Sequence, residues 1–453
     1  MTAAGAARRP SSRVWSWVAA AALAAAAAIA ADMLRTGSES AVPAAPAPPL
    51  DPAQLRPGYG PATLAEALGL ADRTVAGARE RLAVHPDEWL RMEALARALA
   101  ARFRLSADPA DLAEADRLLD RGLAAAPWPA GPALTRAAVS LTAHDFGGAE
   151  AALERFDASA VPPPAEEQAE ARAIRCEIAF ERGRLDDARR LCAGDTFALE
   201  LRRANLAAKT GDPGEAVQIV ESLLRQPRLQ PPTLATLALE RASLALAQGD
   251  WGGAGQWARA AERVFPGYWL SEAFVAQQYA LEGNRAEARR RYAALASNGN
   301  PDVLDALAVL AVADGQAAEA RDWAERAGAA WEARSRMLPF AYASHHGEHE
   351  LLRGDARRGL TLAEADYRRR PYPPAIVHYG FALWRTGEFA RALEIVRKGE
   401  AAGFLTADMK LIEAVSLGSL GRAAEAGEAI AAARRLNPRI DSERQRFVAF
   451  GRD

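Results

Sequence analysis

The chain has 453 residues, half of them hydrophobic and a quarter charged, with 56 Lys and Arg against 58 Asp and Glu, a formal net charge of −2. Charges of both signs are spread along its length, which argues against a nucleic-acid footprint, since that needs a clustered basic face. Two cysteines, Cys176 and Cys192, are all it carries.

Residues 1–13 are basic, with Arg8, Arg9 and Arg13 and nothing acidic. Residues 14–31 form an uncharged, alanine-rich run with Trp15 and Trp17 at its front edge. Arginines ahead of an apolar run favour a cytoplasmic N-terminus, and border tryptophans suit a membrane interface. The run is read either as a retained transmembrane anchor or as the apolar region of a cleaved signal, with Ala28-Ile29-Ala30 resembling a cleavage site. Both place the rest of the chain outside the cytoplasm. The alanine- and arginine-rich composition points to a bacterium, so the expectation is a single-pass inner-membrane protein facing the periplasm, or one secreted there. Residues 32–60, rich in Pro and Ala, read as an extended linker.

From residue 61 to 438 a small residue recurs, usually five positions after a glycine: Gly183…Ala188, Gly211…Ala216, Gly249…Ala254, Gly283…Ala288, Gly315…Ala320, Gly387…Ala392 and Gly421…Ala426. With Ala115, Ala149 and Gly359 included, about ten units result, with a period near 34 residues. In each, the glycine supplies a turn and the small residue opens a second helix, letting two helix axes approach. A proline closes many units: Pro127, Pro266, Pro371 and Pro438 lie twelve residues after the small position. A leading helix pair is expected over Pro61 to Val84. Pro162-Pro163-Pro164 and Met337-Leu338-Pro339 lengthen two spacings and should bend the array into three blocks.

The Gly-x-x-x-x-Ala core, a second small residue seven positions later (Ala261, Ala327, Ala433) and the closing proline resemble the tetratricopeptide repeat family. The resemblance implies an all-α fold, a right-handed α-solenoid of about ten helix-turn-helix repeats. It also implies a concave inner surface, lined by first helices, that binds proteins or peptides, without catalysis or cofactor. Residues 439–453 are expected as a capping helix, with Phe447 and Phe450 on the last pair.

Register places the inner surface about eleven and eight residues before each small position. The candidate partner-binding residues are Glu177, Phe180, Asn205, Gln277, Phe381 and Trp384, aromatics and amides that suit an extended peptide. The bland alternative for the aromatics is packing between units. Cys176 and Cys192 fall on the two helices of one unit, and either form a disulfide or pack as buried free thiols. His345-x-x-Glu348-His349 has the form of an inverted zincin motif, but no third ligand is identifiable. No phosphate loop or nucleophile elbow is present. The leading reading is therefore a membrane-tethered, non-catalytic periplasmic scaffold in envelope assembly or export. The alternatives are a metal-dependent hydrolase at His345, Glu348 and His349, or a structural spacer.

Overall fold

A computed structural model describes residues 49–451, so residues 1–13 and 14–31, with the expected anchor, lie outside the described residues. Among the described residues no helix is long and apolar enough to cross a membrane. The fold is an all-α solenoid. One long helix, α1 (Leu64–Val84), precedes ten antiparallel pairs. They are α2 (Trp89–Ser106) with α3 (Pro109–Ala125), α4 (Ala133–Thr142) with α5 (Phe146–Asp157), α6 (Ala165–Glu181) with α7 (Leu185–Leu191), and α8 (Phe197–Lys209) with α9 (Pro213–Leu224). Next come α10 (Pro231–Ala247) with α11 (Trp251–Val264), α12 (Trp269–Glu282) with α13 (Arg285–Leu295), and α14 (Pro301–Ala313) with α15 (Ala317–Met337). The last are α16 (Pro339–Arg353) with α17 (Ala356–Arg369), α18 (Pro373–Arg385) with α19 (Phe389–Ala401), and α20 (Ala407–Ser419) with α21 (Ala423–Leu436).

The pair around Ala254 shows why these residues fold so. Gly249 turns the chain at φ 76°, a conformation only glycine adopts cheaply. Asp250 then caps α11 by accepting from Gly253 N at 2.9 Å. Ala254, at 3% exposure, is the close-approach point. The requirement for smallness is sharpest at Gly359, where a Cβ would come within 2.6 Å of Leu351 Cγ and 2.8 Å of the Gly347 carbonyl oxygen.

Three expectations need correcting. The leading pair is a single helix, because Gly69 and Gly77 continue helically while Val75 and Ala78 pack into the core beside α2. The end of the linker is docked: Leu55 is buried, Gly58 N donates to the Leu229 carbonyl at 2.6 Å, and Arg263 donates to the Pro52 carbonyl at 2.7 Å. The tail is not a capping helix. Residues Glu443–Phe447 form a short 3-10 helix, and Phe447 to Phe450 join the core around α10–α14 instead of the last pair.

The cause of the third correction is global. The solenoid closes on itself, so late units pack on early ones. Arg370 meets Glu181, Leu405 N donates to the Lys209 carbonyl at 2.9 Å, Asn437 donates to the Leu246 carbonyl at 3.3 Å, and Arg444 donates to the Leu281 carbonyl at 3.1 Å. Leu338 and Ala341, at the Met337-Leu338-Pro339 junction, pack against α1–α3. The core accordingly merges units distant in sequence: Phe180 of α6 shares a cluster with Tyr372, Phe381 and Phe404.

Candidate functional site: the inner wall and the C-terminal tail

The structure distributes the sequence-derived candidates over three roles. Glu177, Phe180, Phe381 and Trp384 brace the wall. Glu177 receives the Arg202 guanidinium at 3.0 Å with both side chains almost wholly buried. Phe180 meets Tyr372 and Phe404 edge-on at 6.1 and 5.9 Å, packing that the return of the chain creates. Phe381 stacks on Trp384 at 5.9 Å, and Trp384 Nε1 donates to Ser419 Oγ at 3.0 Å, tying α18 to α20. These four serve packing between units.

Gln277 binds peptide, and the peptide is the chain's own tail. Its Oε1 accepts from the backbone N–H groups of Ala449 and Phe450, the latter at 2.7 Å, and its Nε2 donates to the Phe450 carbonyl at 3.0 Å. An amide side chain offers both a donor and an acceptor, so one glutamine reads both polar groups of a peptide backbone. Phe450, fully buried, stacks on Tyr292 at 6.2 Å and lies 6.2 Å from Phe274. Gly451, at the end of this segment, lines the adjoining cavity.

Asn205 lines that cavity, about 1050 Å³ including its mouth, together with Lys209, Glu240 and Ser243, and with Val377 and Asp408 from across the coil. Burial pushes the Glu240 carboxyl up to about 7, against the pull of Lys209 and Arg202. The cavity therefore continues the path of the bound tail with polar groups at its floor.

Beside the wall lies a buried ionic knot. Arg370 donates from Nε to Asp366 at 2.6 Å and from Nη1 to Glu181 at 3.2 Å, and its Nη1 lies 3.0 Å from His144 Nδ1. Burial raises the Glu181 carboxyl to about 8 even with Arg370 opposing, and burial then Arg370 hold His144 well below its usual value.

His345, Glu348 and His349 do not converge. His349 Nδ1 turns to Asp305 at 2.9 Å, and His345 stacks on Trp331 at 5.2 Å. Burial alone would raise the Asp305 carboxyl, but Arg353, His349 and Trp331 outweigh it and hold it low. Among the described residues no group of three His, Cys, Asp or Glu side chains is placed to hold a metal. His345 and His349 are instead joints between α14, α15 and α16.

Register does not point to the tail seat or to Glu240. The available signal was Val448-Ala449-Phe450-Gly451, an apolar end without helical spacing.

No family model matches the chain. No curated protein matches it. Among solved structures, a tetratricopeptide repeat protein from Parabacteroides merdae is 14% identical, aligned over 55% of this chain and 99% of its own, at a TM-score of 0.31. The TPR domain of P58(IPK) is 14% identical over 82% of this chain and 98% of its own, at a TM-score of 0.26. Likenesses this distant bear no weight on function, and the solenoid assignment stands on the chain's own helix pairs.

Proposed function

We propose that this chain is a non-catalytic scaffold that binds extended segments of other proteins on its inner wall. One observation carries the reading: the wall already holds an extended peptide, with Gln277 reading its backbone and Phe274 and Tyr292 flanking its aromatic side chain. The adjoining cavity, lined by Asn205, Lys209, Glu240 and Ser243, is where a partner segment would run beyond the tail. The expected location is the periplasmic face of a bacterial inner membrane, by way of residues 14–31, with a role in envelope assembly or export. Arg8, Arg9 and Arg13 ahead of that run support this topology.

The cysteines support it too. Cys176 and Cys192 stand with Cα atoms 5.4 Å apart, the separation a disulfide requires. Such a bond persists in an oxidising compartment. Mass spectrometry of the protein from its membranes, alkylated without reductant, should find neither thiol modified. Cys192→Ser should then cost about 3 kcal/mol in unfolding free energy, as expected for a loop of roughly 15 residues. Two alkylated thiols would remove this support for the periplasm.

The functional test is mild cross-linking of the intact protein in membranes, solubilisation, affinity recovery and mapping of the cross-links. Stoichiometric partners are expected, with cross-links at Lys209 and neighbouring inner-wall positions, and their yield should fall several-fold in Asn205→Ala. Partners that cross-link only on outer helices, or that ignore Asn205→Ala, would favour a spacer whose repeats merely set a distance.

A further inference from the structure

A second cavity, of about 1370 Å³ including its mouth, opens between α1–α2 and α8–α12. It is separate from the tail seat, and its chemistry differs. Leu70, Phe103, Phe197, Leu237, Phe265 and Leu270 make the walls apolar. The mouth is marked by Leu70, which is 53% exposed. No aspartate or glutamate lines it.

Its one charged side chain is a cation, Arg104; the other polar side chains are neutral, and Thr74 and Thr236 already donate to the Leu70 and Pro232 carbonyls. Arg104 lines the cavity and makes no ion pair within 4 Å among the described residues. Thr233, at 4% exposure, has a buried hydroxyl without a hydrogen-bond partner, and the indole N–H of Trp269 is likewise buried and unpaired. Both residues line the same cavity. Both atoms are sealed from the cavity, so the charged handle open to an occupant is Arg104.

The occupant is constrained from both sides. Apolar walls of this size suit an alkyl chain, each buried methylene contributing about 0.8 kcal/mol. An unpaired guanidinium suits a carboxylate, which it can meet with two parallel hydrogen bonds. We propose that the cavity binds a long-chain fatty acid, with the carboxylate on Arg104 and the chain along the wall from Phe103 to Leu270. Burial holds the Arg104 guanidinium down at about 10, with Glu170 nearby opposing and Arg97 adding to the shift, so the cation gains from an anion placed against it.

The test uses the full chain in its own membranes and a fatty acid carrying a photoreactive diazirine at mid-chain. After irradiation, the adduct should map to the segments of residues 67–105 and 230–270. Unlabelled palmitate should compete, and methyl palmitate should not. Arg104→Gln should lower labelling by at least about tenfold, the loss of one charge-assisted contact. Arg104→Lys, which keeps the charge, should retain most of it, and the wild-type map stands even if a variant fails to fold. Adducts confined to residues 14–31 would mean bulk-lipid labelling and would overturn the proposal. Equal competition by the methyl ester would overturn it as well, by removing the carboxylate. Neither failure touches the scaffold reading, which rests on the tail held at Gln277.

Discussion

Arg370→Ala is expected to destabilise the protein by about 3–5 kcal/mol, measured as the shift in urea midpoint at constant slope. The arginine is 2% exposed, Asp366 is fully buried and Glu181 is 3% exposed. Removing the cation leaves two buried carboxylates, Asp366 with just the longer 3.4 Å contact to Arg369, and leaves His144 without its guanidinium neighbour. Replacement by methionine should recover little, because the cost is the uncompensated charge and not the lost volume. The effect should depend on pH with a definite sign. The Glu181 carboxyl titrates near 8 in the folded protein and near 4.5 unfolded. Its contribution is therefore fully present below the unfolded value and is lost as pH rises toward 8. Without Arg370 the charged form is less tolerable still, so the loss in the variant should be larger at pH 8 than at pH 5. An Arg370→Ala chain as stable as wild type at pH 8 would mean that the knot is wetter than its burial indicates.

Phe450→Ala should cost about 3–5 kcal/mol, the range for emptying a fully buried aromatic site. Its ring fills the space between Tyr292 and Phe274. A chain ending after Gln445 should lose comparable stability, because Gln277 would then face the inside of the coil with its amide unmet. The two roles open to the tail separate in one further measurement. If the tail is a ligand held in place, a synthetic peptide copying residues 446–453 should restore the truncated protein's melting temperature saturably, as any ligand binding only the folded form must. Prevention of that rescue by Gln277→Ala would assign the recognition to the amide. A truncated chain that melts unchanged would show that the seat contributes nothing, and the scaffold reading would lose its carrying observation.

The helix pairs were legible because their signal is local. A glycine at a positive φ and a small residue five positions on are each demanded by contacts within one unit, as Gly249 and Ala254 show. The helix α1 departs from the expected pair because the packed face carrying Val75 and Ala78 overrides the weak helix propensity of Gly69 and Gly77. Register picked out Gln277, which holds the tail, and Asn205, which lines the cavity beside it. What it could not supply was whether the inner wall is open. Closure depends on a small rotation repeated at every joint, and that sum is set by the packing of whole units. Glu177 is buried against Arg202 of the next unit, whereas Phe180 is buried because the far end of the chain, through Tyr372 and Phe404, packs on it.

That arrival changes what kind of polymer this is. In an ordinary repeat array each unit touches only its neighbours, stability is close to a sum along a line, and units can be added or removed. Here bonds join residues 163 to 226 positions apart, as in Arg444 with Leu281 and Arg370 with His144. Excising one pair would leave every later unit facing the wrong partner, so the array is not editable by whole repeats. Folding should therefore wait on forming these distant contacts, with a single cooperative transition in place of fraying from the ends.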